Sequence, residues 1–295
     1  MNFLFKLLIT SLIPLLILAN TSNTNEKDKN IPKLDNPFSV SYLKENLTQS
    51  KPRMIYNDQI INGLKGKIKT DPVISNLYEA IRIDAYEILD LPVIERIKET
   101  NAMLNVSREL LRRINMLGLV YLIEEDKVML DRINQEIIAV SKFSDWNPPV
   151  YLDVAEICMA VALALDWTQD NLPGSTVKMA KKALIEKGIY PSWEEYGGNP
   201  RHAWWVDHYN NWNQVCNGGM IAASIAIAED DPELAAKTIK RALDGIPNVV
   251  YENYYPETEL FFSSGEVIEK VDNIITDRIV NNGLLFTFTV NKKHP

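Results

Sequence analysis

The sequence predicts an all-α protein built from antiparallel helical hairpins, and three observations carry that prediction. Apolar residues recur at helical spacing from Pro52 onward, cap and breaker residues punctuate the chain at short intervals, and no stretch before Leu284 reads convincingly as a strand. Paired helices of similar length in series fit a bundle, a helical solenoid or an α/α toroid, and periodicity alone does not choose among them. Repeat arrays usually show self-similarity at a fixed period. None is found here, which counts against the solenoid.

Taken in order, Asp71-Pro72 reads as a cap with proline at the first helical position. Val73, Leu77, Ala80, Ile81, Ala85, Ile88 and Leu89 then mark a buried stripe. Asn105 or Ser107 is expected to cap the next helix, whose stripe is Leu110, Leu111, Ile114, Leu117 and Leu119. Val128 to Phe143 repeats the pattern. Tyr151 to Trp167 and Val177 to Lys187 form a further pair, the second expected to stop at Gly188. Asn211 to Ala228 and Pro232 to Leu243 form the last, joined by the Glu229-Asp230-Asp231 turn.

The two ends differ from this body. Residues 1–19 carry Lys6 and an apolar run to Leu18, followed by a polar stretch. That is the pattern of a cleavable export leader, too short for a membrane span, and it predicts a periplasmic or secreted protein with no span after cleavage. Residues 20–52 read as a polar linker or loosely docked arm, 53–256 as the helical domain, and 257–295 as a divergent tail. The formal net charge of −8 argues against nucleic acid as a partner. Any attraction for an anionic polymer must therefore come from local Lys and Arg groups. Cys158 and Cys216 are open to two readings, one disulfide or two buried thiols.

The most informative stretch runs from Tyr190 to Gly219. It holds Trp193, Trp204, Trp205 and Trp212, four of the six tryptophans, together with His202, His208, Asn210, Asn211, Asn213 and Asn217. Flat aromatic faces stack on sugar rings, and amides and imidazoles hydrogen-bond hydroxyls and carboxylates. The competing reading is a loop wedged into the core by its aromatics. Asn210-Asn211-Trp212-Asn213 falls at the start of a helix, where free N–H groups and the positive dipole end favour a carboxylate. A cap needs only one of those asparagines.

Elsewhere Arg108, Arg112 and Arg113 share a helix and either face an anionic sugar or form a solvated face. Asp145-Trp146-Asn147-Pro148-Pro149 either lines a cleft or turns the chain. Asp153 and Glu156 share a helical face, where ion pairing is the ordinary use of carboxylates. No metal-ligand spacing, nucleophile elbow or phosphate-cradling glycine loop is present, so no metal or cofactor is expected.

These residues resemble the heparinase II/III-like polysaccharide lyase family. The resemblance begins at Lys51-Pro52-Arg53-Met54 and Leu64-Lys65-Gly66-Lys67-Ile68, and runs through Asn105-Val106-Ser107-Arg108 to Ile114, Phe143 to Pro148 and Tyr151 to Glu156. Its most specific piece is Asn210 to Met220, and Tyr251-Glu252-Asn253-Tyr254 closes it. It implies an incomplete (α/α) toroid built from antiparallel helical hairpins, with the family's β-sandwich domain missing. It also implies eliminative cleavage of an acidic, uronic-acid-containing polysaccharide or oligosaccharide. By motif, Asn211 is similar to the carboxylate-binding asparagine, which would stabilise charge building up after C5 proton loss. Trp212 would be a subsite wall and His208 a further catalytic candidate by proximity. Asn213, Trp204, Trp205, Trp146 and Arg108 complete the expected substrate contacts.

The departures are specific. Glu266 falls about where the family's proton-transfer tyrosine is expected, and Val150 stands where members often carry histidine. Tyr254 and Tyr255, with Tyr251, are the remaining candidates for proton transfer, though they lie earlier in the chain. Activity of this chain is therefore expected to be weak or absent. The alternatives are a non-catalytic glycan-binding module and a helical-toroid glycoside hydrolase, which would need a flanking pair of carboxylates.

Overall fold

The computed structural model describes residues 36–208 and 210–246, and these are mostly helical, with one isolated antiparallel bridge between Glu99 and Ala102 and no strand among the described residues. The expected leader, the tail and the β-prone run after Leu284 lie outside the described residues. Among the described residues no helix is long and apolar enough to cross a membrane.

The chain enters through α1 (Val40–Asn46), capped by Ser39, whose side chain accepts from the Tyr42 amide. Sequence reading expected a polar linker or a loosely docked arm here; Leu43 is buried, and the Asn36 side-chain amide donates to Lys240 O at 3.2 Å and Asp244 Oδ1 at 2.8 Å. A short helix with one buried leucine docks because distant residues receive it, which composition does not reveal. Then come α2 (Asp58–Thr70) and α3 (Pro72–Leu89), the latter capped by Asp71 and opened by proline as expected. Of the stripe assigned to α3, Ala85 and Ile88 are buried, but Val73 and Leu77 are 64% and 58% exposed. The buried line of this edge helix runs through Tyr78, Ala85 and Ile88, and Val73 and Leu77 fall to one side of it.

Six further helices form the centre. They are α4 (Leu104–Glu124), α5 (Lys127–Ser141), α6 (Tyr151–Trp167), α7 (Gly174–Ala183), α8 (Asn211–Ile227) and α9 (Pro232–Gly245). Asn105 and Ser107, the expected caps of α4, sit inside the helix, and its N-cap Met103 has no side-chain cap bond of its own. The Met103 amide instead donates to Asp153 Oδ2 of α6 at 2.7 Å, a cap supplied across the fold. Helix α7 does not stop at Gly188; it runs on through a π-helical turn, Leu184–Ile189. Glycine is needed there for packing, since a Cβ would stand 2.5 Å from Cys158 Sγ.

Helix α6 is the axis of the core: all its residues except Glu156 and Met159 are buried, which is why its sequence is apolar on every side. Helices α4 and α8 flank it and run parallel to it. The start of α4 meets the start of α6 at Met103–Asp153 and Ser107–Glu156. Gly219 of α8 packs on Ala155 of α6, where a Cβ would come within 2.5 Å of the Ala155 carbonyl oxygen. At the far end, Asp166 Oδ2 accepts from the Arg53 and Met54 amides at 2.9 Å each, while Arg53 Nη2 donates to Ile225 O of α8. Because α5, α7 and α9 return the chain, they form the outer layer. Both cysteines are free and buried, and burial raises the pKa of both thiols.

Candidate functional site

Parallel inner helices place the N-termini of α4, α6 and α8 at one end of the fold. The segment between α7 and α8 lies beside this end as three 3-10 turns, Tyr190–Ser192, Glu194–Tyr196 and Pro200–Asp207. Its attachment is cationic and aromatic. The Arg241 guanidinium of α9 lies 3.8 Å from the Trp193 ring centroid and donates to Ser192 O at 2.9 Å and Ser192 Oγ at 2.7 Å. Burial lowers its pKa to about 10, so it remains charged at neutral pH. Lys237 lies over Trp193 at 4.7 Å and pairs with Glu195.

The adjacent tryptophans of the last turn have opposite fates. Trp205 is 0% exposed, packs on Tyr151 at 4.8 Å and donates its indole N–H to His202 O at 2.6 Å. Trp204 is 43% exposed, with the His208 ring edge-on at 4.9 Å and the Trp212 ring tilted at 5.0 Å. The turn Pro200–Asp207 buries Trp205 and Val206 and leaves Trp204 on its outer side.

The asparagines divide in the same way. Asn210 is the cap of α8, its Oδ1 accepting from the Trp212 amide at 3.1 Å. Asn213 is buried, donating to Val206 O at 2.7 Å and Gly245 O at 3.1 Å, so it ties the 3-10 turn and the end of α9 to α8. Asn211 is exposed, and its side chain makes no hydrogen bond among the described residues. The structure brings the rings of Trp204, His208 and Trp212 together, and the exposed Asn211 precedes Trp212 at the start of α8.

Three expected substrate contacts are corrected. Trp146 is fully buried, donates to Val140 O at 3.0 Å and packs near Gly188. Trp205 and Asn213 are core braces, as above. None presents a face to a ligand, because all three side chains are fully buried; the Asn213 Oδ1, buried with them, has no hydrogen-bond partner among the described residues. Arg108 is exposed at 62%, but it stands on α4, with α6 between it and α8; its Nε donates to Glu156 Oε1 at 3.3 Å. Arg112 and Arg113 are taken by Asp84, Glu109 and Glu136. Tyr254 and Tyr255 lie outside the described residues.

The carboxylates of α6 serve the fold. Asp153 is buried, capping α4 and accepting from Asn147 Nδ2 at 2.7 Å; burial raises its pKa. Glu156 Oε2 accepts from Ser107 Oγ at 2.7 Å. Sequence reading overlooked Arg201, which is exposed on the same 3-10 turn as Trp204. Only a period of three would have revealed it, and the helical period was the one sought. The chain matches no protein-family model and no curated protein sequence.

Chemically, the surface offers two aromatic rings, an imidazole, an unengaged amide and the positive end of a helix dipole. Such a set stacks on a flat ring and receives a carboxylate or hydroxyl beside it.

Proposed function

We propose that this chain is an exported polysaccharide lyase-like protein of the heparinase II/III type, with its helices arranged as part of an α/α toroid. It would hold a uronic-acid-containing polysaccharide on Trp204, His208, Asn211 and Trp212. One observation carries the reading. The sequence supplies three asparagines around Trp212, and two are consumed by the fold as cap and brace, which leaves Asn211 exposed next to Trp212 at the start of α8. In an elimination, an amide so placed holds the uronate carboxylate and stabilises charge as the C5 proton leaves. His208, its ring against Trp204, is a group of the type that can exchange a proton. The leader-like residues 1–19 support export.

The second reading is a glycan-binding module without catalysis, favoured by Glu266 at the position where the family's tyrosine is expected. A hydrolase is a weaker reading, since Asp153 and Glu156 are engaged in capping and ion pairing. The deciding experiment is calorimetric titration with acidic oligosaccharides. Asn211→Ala should lose about 1–3 kcal/mol of binding, the cost of leaving a charged acceptor without its hydrogen bond. Its fold should be unchanged, because the side chain is exposed. Equal affinity of variant and wild type, or no acidic-glycan binding by the wild type, refutes the assignment.

A further inference from the structure

We propose that Arg201 extends this surface to a second acidic group, so that the preferred ligand carries acid on adjacent sugar units. The proposal rests on the uronate-binding reading of Trp204, Asn211 and Trp212, and it adds a charge requirement which that reading lacks.

Side chains three apart in a 3-10 helix eclipse one another. The turn Pro200–Asp207 shows that period in its burial: Arg201, Trp204 and Asp207 are exposed, while Trp205 and Val206 are buried. Arg201 therefore stands on the same side as Trp204, displaced along the axis by about 6 Å at ~2.0 Å per residue. That displacement is of the order of one sugar ring.

The root of Arg201 is fixed, since its backbone amide donates to Asn199 Oδ1 at 3.0 Å. Its guanidinium makes no hydrogen bond or ion pair among the described residues. Arg112 and Arg113, by contrast, are saturated by carboxylates. Asp207, next in the row, is already engaged with other parts of the protein.

The order along the surface follows from the ring contacts. Trp204 touches both His208 and Trp212, so it lies between the Asn211 end and Arg201. A chain with one acid at Asn211 and a ring over Trp204 directs the neighbouring unit's acid toward Arg201. A guanidinium binds a carboxylate through two parallel N–H donors, which gives direction as well as charge.

The experiment is titration calorimetry with oligogalacturonate, acidic on every unit, and with hyaluronan oligosaccharides, acidic on alternate units. Arg201→Gln should bind oligogalacturonate about tenfold more weakly, the size of one exposed charge-assisted contact. Its affinity for the hyaluronan oligomer should stay within about twofold, less than a single such contact. Arg201→Lys should keep the salt dependence that Arg201→Gln loses, since it retains the charge without the two-pronged geometry. If Asn211→Ala weakens oligogalacturonate binding but Arg201→Gln matches the wild type, Arg201 is a solvated charge and the proposal is overturned. Equal losses on both ligands mean general attraction and overturn it as well. If the wild type binds neither ligand, the uronate-binding reading itself fails and takes this proposal with it.

Discussion

Replacing Trp204 and Trp205 separately by alanine should produce two different proteins, although the residues are chemically identical neighbours. Trp205 is wholly buried against Tyr151, with its indole N–H held by His202 O. A tryptophan buries about 150–250 Å², worth roughly 4–6 kcal/mol at ~25 cal/mol per Å² as an upper bound. Measured core Trp→Ala changes cost about 3–5 kcal/mol, and that is the expected loss for Trp205→Ala. Trp204 keeps nearly half of its surface in water and makes no hydrogen bond among the described residues, so on the same area scale Trp204→Ala should cost at most about 2–3 kcal/mol, less than Trp205→Ala. Its binding loss should be at least tenfold, since a ring platform is removed from the sugar face. Urea denaturation gives the first quantity and calorimetry with oligogalacturonate the second. Equal destabilisation by the two variants would refute the inside-outside assignment of the turn. Unchanged binding by Trp204→Ala would remove the sugar platform from the site.

Other outcomes follow from the same structure. Glu136 is fully buried and accepts from Arg113 Nη1 at 2.7 Å, from Arg132 Nε and Nη2 at 2.9 and 2.7 Å, and from the Ile94 amide at 2.9 Å. Glu136→Gln leaves buried Arg132 without a carboxylate among the described residues and Arg113 with Glu109 alone, and should lose about 3–5 kcal/mol in urea titration; a loss under about 1 kcal/mol contradicts this. Burial raises the Asp153 carboxyl above its ordinary 3.8, so the ionised form costs stability at neutral pH, and the cost is relieved as pH falls through the raised value toward 3.8. Asp153→Asn should therefore be at least as stable as wild type at pH 7, with the advantage shrinking by pH 4. A variant clearly weaker at pH 7, or a difference that ignores pH, counts against it. Elimination on heparan, chondroitin, hyaluronan and alginate, followed by absorbance of the unsaturated product, should be slow. Loss of general acid–base help is worth about 10²- to 10⁴-fold, and turnover near ~1 per second would overturn the expectation and direct attention to Tyr254 and Tyr255.

Much of the site was legible as composition and little of it as geometry. The aromatic and asparagine content of residues 190–219 marked the stretch that carries the candidate surface. It did not separate Trp204 from Trp205, or Asn211 from Asn210 and Asn213, because each pair differs only in which side of a turn faces the interior. Trp146 was open to a cleft reading or a turn reading because it stands in Asp145-Trp146-Asn147-Pro148-Pro149. Its place in the core depends on the close approach of Gly188, more than forty residues later in the chain. Arg201 went unnoticed because its row repeats every three residues.

What the sequence determined alone is local. The cap at Asp71-Pro72, the cap and proline at Asp231-Pro232, and the apolar run of Tyr151–Trp167 are decided by residues within a turn or two of one another. Backbone hydrogen bonding and the 3.6-residue period act over that range. The tertiary structure decided what depends on partners far along the chain. Asp153 caps α4 from another helix, Asn36 and Leu43 dock on α9, and Arg53 clasps the ends of α6 and α8. Buried polar groups must find partners wherever the fold brings them, and sequence order carries no record of those distances.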